Sequence, residues 1–213
     1  QADQLPWHSW DGELYADFSH VDVARLRAYV DLSPWGVEVH TGQGALRAWA
    51  EVVDGRVGGV TADLALQGVE ARLGPQLPAL AIDELQGRLA AQWSDEGFSL
   101  STDDLRFRTR EGVAWPGGRL SLQHTAGRGG RKASTALSAE RLELAALAAI
   151  AGRLPLPADA HRRLEQLQPA GRVDGLSARW QSATGDVTAT GWRPDSYEAR
   201  GRVTGLALAR EPS

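Results

Sequence analysis

The feature that most constrains this chain is an alternation of apolar and polar residues that recurs along most of its 213 residues. In GALRAWAEVV, Leu46, Ala48, Ala50 and Val52 share one side of an extended chain, and Arg47, Trp49 and Glu51 the other. Successive side chains of a strand point to opposite faces, so the pattern predicts a half-buried strand. Asp54-Gly55 follows, a strong signal for a two-residue hairpin turn. The return strand carries Val60, Ala62, Leu64 and Leu66 on one face.

The pattern then repeats. Leu89, Ala91 and Trp93 lead into the turn SDEG (94–97), and Phe98 and Leu100 lead out of it. Leu105 and Phe107 continue, opposite Arg106 and Arg108. GVAWPGG (112–118) is a break, because Pro116 does not suit a central strand. RLSLQHT, with Leu120 and Leu122, and KASTALS are expected to form a hairpin around AGRGGR. Val173 resumes the apolar face after a helical section, and past an irregularity at Gly175 it continues with Leu176 and Ala178 towards Trp180. GDVTATGW and YEARGRVTGLALA complete roughly ten to twelve strands.

Two places change to helical spacing. HVDVARLRAYVDLS places Val23, Leu26 and Val30 on one helix face, with Asp22 as N-cap. Residues 138–168 read as a helical insertion of two short helices separated by Pro155 and Pro157. The first is expected to turn Leu144, Leu147, Ala148 and Ala151 inward. The second is expected to turn Leu164 and Leu167 inward and to stop before Pro169. The fold class that follows is mainly β, with a few short helices and a long, largely antiparallel sheet.

A weak echo runs through the strands. Gly44, Gly87 and Gly171 each open a strand that ends in a tryptophan, at Trp49, Trp93 and Trp180. Repetition of this kind marks stacked supersecondary units, and it is also what ordinary turn glycines produce.

Little here points to chemistry. The histidines (His8, His20, His40, His124 and His161) show no metal-ligand spacing. Cysteine is absent, which removes disulfides, thiolate zinc sites and cysteine nucleophiles. The acidic pairs Asp83-Glu84, Asp95-Glu96 and Asp103-Asp104 would point to opposite faces of a strand and not converge on a substrate. AGRGGRK (126–132) brings Arg128, Arg131 and Lys132 near glycine amides. It reads first as a flexible basic hairpin tip, and second as a contact for a phosphate or lipid headgroup. The eight tryptophans stand mostly at strand ends and turns, where a ring with one apolar and one wet edge packs a sheet rim. No catalytic residue, metal or cofactor is expected, and a net charge of −4 weighs against general nucleic-acid binding.

The longest apolar run, Leu144 to Ala151, is too short to cross a bilayer. The chain has no methionine and no signal-peptide pattern at Gln1, so the expectation is a mature or excised piece of a longer product. An apolar sheet face must be buried against something. Either this sheet closes into a sandwich or barrel, or it curves into a trough for an apolar ligand. A structural module that binds partner proteins at its edges is the alternative to a ligand-holding trough. An enzyme or glycan-binding module around the tryptophans ranks third.

An ordered set of phrases adds to this reading: LPWHSWDGELYADFSHVDVARL, GALRAWAEVVDGRV, LQGRLAAQWSDEGFSLSTDDLRF, GVAWPGGRLSL, LELAALAAIAGRLPLP and LQPAGRVDGLSARW. Together they resemble the AsmA-like superfamily of Gram-negative bacteria, most closely the YhdP-type proteins, which are related to TamB. The resemblance implies a very long protein anchored in the inner membrane by an N-terminal helix. Its periplasmic part would be a tall, curved β-groove with an apolar interior. It would conduct phospholipid between the inner and outer membranes and support the outer-membrane barrier. Residues 1–213 would be a single internal periplasmic segment. Its partners would be phospholipid acyl chains, neighbouring segments of the same chain and other envelope proteins. The family offers no catalytic residues. The groove lining would map to Leu46, Ala48, Ala50, Val52, Val60, Ala62, Leu64, Leu66, Leu89, Ala91, Trp93, Phe98, Leu100, Leu105, Phe107, Leu120, Leu122, Val173, Leu176 and Ala178.

Overall fold

Asp54 (φ 50°) and Gly55 (φ 69°) both take up the left-handed backbone of the predicted hairpin turn. Short connections of this kind make each long strand pair with its neighbour in sequence. The computed structural model describes residues 10–26, 36–156, 158–182 and 195–209. The first part of the chain runs β1 (Gly12–Asp22), α1 (Val23–Leu26), β2 (Glu38–Val53), β3 (Arg56–Arg72), β4 (Leu80–Ser94) and β5 (Gly97–Thr109). Then come β6 (Ala114–Trp115), β7 (Leu120–Thr125) and β8 (Ala133–Glu143). Helix α2 (Leu144–Ile150), a 3-10 turn (Ala151–Arg153) and α3 (Ala158–Leu167) precede β9 (Ala170–Ser182) and β10 (Ser196–Ala207).

All ten strands belong to one sheet, in the order β1-β2-β3-β4-β5-β7-β8-β9-β10, with β6 paired to β5. Every pairing is antiparallel. The sheet stays open: β1 and β10 end the strand order and do not pair with each other. The chain exposes 14501 Å². A compact monomer of 22.9 kDa would expose about 9,600 Å². The excess is what a single sheet with little covering it produces.

The core lies at the edge away from the hairpin turns. Val21, Leu66, Val69, Ala71, Leu80 and Ile82 are buried there together with Ile150 of α2, and Leu154 packs against them. Leu66 and Val69 are three residues apart in one strand, and so are Ile82 and Leu85, which packs on the same cluster. Residues three apart on a regular strand face opposite ways. Here a line of irregularities crosses the sheet: register shifts within Phe18–Val21, Val39–Gln43 and Ile82–Glu84, and Gly68 at φ 60°. Each bulge moves the alternation by one residue, so the apolar positions beyond it stay on the same side. Alternation alone, followed past Leu66, would have placed Val69 on the wrong face.

The helical segment differs in detail from expectation. Ser138–Glu143 continue β8, so the helices begin at Leu144 and not at residue 138. Ala151 is buried as expected, but the other side chains that α2 buries are Ala146 and Ile150, while Leu144, Leu147 and Ala148 are half-buried. Because β8 runs straight into α2, the strand's exit sets the helix rotation. In α3 Leu164 is half-buried, but Leu167 is 43% exposed. That helix stops before Pro169 as expected. At the first helix, Asp22 Oδ1 accepts from the Ala24 backbone N–H at 3.0 Å, which makes Asp22 the N-cap. The remainder of that expected helix, from residue 27, and the GDVTATGW strand lie outside the described residues.

The glycine echo has a geometric cause. A Cβ on Gly87 (φ 137°) would stand 2.5 Å from the Leu105 Cα, and one on Gly171 2.6 Å from the Gly205 carbonyl oxygen. Gly44 presses on the Ala65 carbonyl in the same way. These are points where adjacent backbones approach too closely for a side chain. Gly87→Ala should therefore destabilise the protein by more than about 1 kcal/mol in chemical denaturation. A second comparison separates the covered from the uncovered part of the apolar face. Ile150→Ala, at a site only 4% exposed, should cost about 2–5 kcal/mol. Leu100→Ala, at a site 43% exposed, should stay within about 0.5 kcal/mol.

Candidate functional site

In an antiparallel sheet, residues directly opposite one another share a face and touch. The register therefore defines rows that cross the strands. One row passes through Leu14, Ala50, Val60, Ala91, Leu100, Leu122, Leu137, Ala178 and Ala199. It visits every strand of the main path and holds only aliphatic side chains. Its eight spacings of ~4.8 Å make it about 38 Å long. A neighbouring row holds Ala16, Ala48, Ala62, Leu89, Thr102, Leu120, Ala139 and Leu176. A third joins Phe18, Leu46, Leu64 and Gly87.

All twenty predicted lining residues stand on this one face. Leu105 and Phe107 reach it because Asp104 (φ 49°) interrupts the alternation of β5. They are not equally accessible. Val52, Leu66 and Val173 are buried, and Phe107 packs against the core, where its ring stacks on Trp115 at 5.9 Å. The accessible part is chiefly the first aliphatic row, with Leu14 at 52% and Leu100 at 43% exposure; in the other rows Ala139 is buried and Leu46 and Leu64 pack against the core. Sequence reasoning did not include Leu14, Ala16 and Phe18 of β1, Leu137 and Ala139 of β8, or Ala199 of β10. Their alternation is present, but the small Ala, Ser and Thr residues around them weaken it.

The opposite face is charged, and its charges also form a row. Asp17, Arg47, Asp63, Arg88 and Asp103 are successive cross-strand partners of alternating sign. Arg119 extends it, 3.6 Å from Asp103. Arg47 lies 3.3 Å from Asp17, and Arg88 donates twice to Asp63, at 2.6 and 2.9 Å. Those hydrogen bonds hold the Asp63 carboxyl below the usual carboxylate range and push the Arg88 guanidinium up. Beside this row runs another of Ser101, Ser121, Ser138 and Ser177, with the Ser121 and Ser138 hydroxyls 2.8 Å apart. Trp49 lies on this charged face, between Tyr15 (5.4 Å) and Arg88 (5.9 Å).

Among the described residues, several of the remaining charged candidates pair with one another. Glu84 pairs with Arg108 at 2.7 Å, and Asp104 with Arg106. At the basic hairpin tip, Arg128 donates to the Asp95 carbonyl at 2.5 Å and Lys132 pairs with Asp195 at 2.8 Å. These two side chains strap neighbouring turns together and do not converge on a shared anion site. Among the described residues, no group of three or more His, Asp or Glu is placed to hold a metal ion. No described helix is long and apolar enough to cross a membrane.

The family model described as YhdP protein matches residues 1–211. No curated protein and no solved structure matches the chain.

The charge row makes a prediction about register. Reversing one partner, Asp63→Arg or Arg88→Asp, sets like charges opposite each other and should lower the thermal midpoint. The double reversal should recover most of the loss. Because the Asp63 pKa is lowered on folding, its stabilising contribution is present at neutral pH and disappears as the pH falls through that lowered value. The difference between the native protein and Asp63→Asn, followed by thermal melts against pH, should therefore shrink in acid.

Proposed function

This chain belongs to the YhdP family, and from that premise we propose that it is a periplasmic segment of a bridge conducting phospholipid between the inner and outer membranes. The observation that carries the reading is the unbroken aliphatic row from Leu14 to Ala199, on a face that the described helices cover at one edge.

Acyl chains lie along these rows. Each buried methylene contributes about 0.8 kcal/mol. The attraction is non-directional, so a chain displaced by one strand meets an equivalent surface and little is lost. A lining of Leu, Val and Ala without fixed polar anchors suits passage better than tight capture. The charged rows keep the other face wet, and no covalent chemistry is required of any residue. The open ends at β1 and β10 suit continuation of the sheet by neighbouring segments of the same chain.

The test is phospholipid analysis of the full-length protein after purification. Bound phospholipid is expected in the native protein. Ala62→Glu and Leu122→Glu put a carboxylate among the acyl chains, at a cost of about 2.5–3.5 kcal/mol, or roughly a hundredfold in local occupancy. Both variants should fold, because their sites are only half-buried and lie outside the core cluster, and both should lose phospholipid. Native protein that carries no phospholipid, or variants that unfold as a closed sandwich would, sink the proposal. A copurifying protein seated on this face in place of lipid would favour the interaction-module alternative.

A further inference from the structure

The apolar face has two edges, and they differ. At the edge away from the hairpin turns, the ends of β3 and β4 are buried under Ile150 and Leu154 of the helical segment. Arg153 ties that segment to the turn after β5 through Glu111, at 2.8 Å. The edge beside the hairpin turns carries rings, and no described helix lies over it, although Val52, Ala133 and Thr135 are buried there. Trp93, Phe98 and His124 are successive cross-strand partners, and so, beyond Thr135, are Trp180 and Tyr197. At β1 the Trp10 ring occupies the space that a Gly12 side chain would fill on this same face.

These residues form the last inward-facing row before the turns, since Ser94 already pairs with Gly97 and Thr125 with Ser134. Phe98 stacks on His124 at 5.3 Å, and His124 Nδ1 lies 2.9 Å from Thr135 Oγ1. Tyr197 is 78% exposed. Both signs of charge stand just beyond, in Asp95, Lys132 and Asp195. Amphipathic rings placed between an aliphatic surface and a wet, charged border are how proteins meet the headgroup level of a lipid layer.

We propose that phospholipid headgroups travel along this turn edge, at the level of the aromatic row, while their acyl chains lie on the aliphatic rows between it and the bulges. The inference rests on the transport reading above and adds a polarity to it. The helical edge is closed to headgroups over β3 and β4, so lipids there share one orientation. The mixed charge beyond the row suits a zwitterionic headgroup better than a purely anionic one.

Two photoreactive phosphatidylethanolamines separate the possibilities, one with a diazirine on the headgroup and one with it at the acyl terminus. Full-length protein is irradiated with vesicles of phosphatidylethanolamine and phosphatidylglycerol containing either probe, and adducts are mapped by peptide mass spectrometry. The headgroup probe should label the strand ends around Phe98, His124 and Tyr197. The acyl probe should label the strands around Leu100, Leu122 and Leu137. Phe98→Ala combined with Tyr197→Ala removes two exposed rings that lie outside the core cluster. It should reduce headgroup labelling at this edge by at least roughly threefold and leave acyl labelling in place. Headgroup adducts spread equally onto the helical edge, or unchanged in the double variant, would overturn the assignment of the edge while leaving transport standing. No acyl adducts at all would sink the transport reading and this inference with it.

Discussion

The structure depends on register. A single sheet has no second layer to correct a slipped strand, and a slip of one residue would move an entire strand's apolar set to the charged side. Two interactions hold the register from opposite faces. On one, aliphatic side chains meet their own kind across nine successive strands. On the other, Asp17, Arg47, Asp63, Arg88 and Asp103 alternate in sign, and any shift would bring like charges together. Each exposed pair contributes little to stability on its own. Their combined effect is to disfavour the wrong pairings.

Such a sheet also needs somewhere to bury enough apolar surface to stay ordered. It does so along one edge, where bulges in successive strands keep Leu66, Val69, Ile82 and Leu85 on one side and the helical segment closes over them. Under the proposed function, stability and lipid contact are thereby separated in space. The covered edge supplies the core, and the open rows remain available to a ligand. A protein that buried the whole face would be more compact and would have no surface left to offer an acyl chain.

Much of this was legible in the sequence. The hairpin at Asp54-Gly55, the break at Pro116, the cap at Asp22 and the irregularity at Gly175 follow from local rules. These rules act over two to four residues, and in long hairpin-linked strands they hold up to the bulges. Less was legible where neighbours decide. Leu144 and Leu147 have the helical spacing of an inward face, yet Ala146 and Ile150 are buried, because the exit of β8 rotates the helix. Arg128, Arg131 and Lys132 read from the sequence first as a basic hairpin tip and second as a headgroup contact; what the sequence does not show is that the Asp95 carbonyl and the Asp195 carboxylate, from other turns, hold Arg128 and Lys132. The glycine echo at Gly44, Gly87 and Gly171 is visible in the sequence, but its cause is the backbone of the next strand.

By itself, then, the sequence determined that this chain makes a long antiparallel sheet with one apolar and one charged face, because side-chain period and turn chemistry are local. Only the tertiary structure decided that the sheet stays open, which part of its apolar face is covered, and that its rings gather at one edge. Those properties depend on which residues stand opposite one another across strands. Cross-strand partners are set by register, bulges and the path of the helical segment, and none of these has a signature within a single strand.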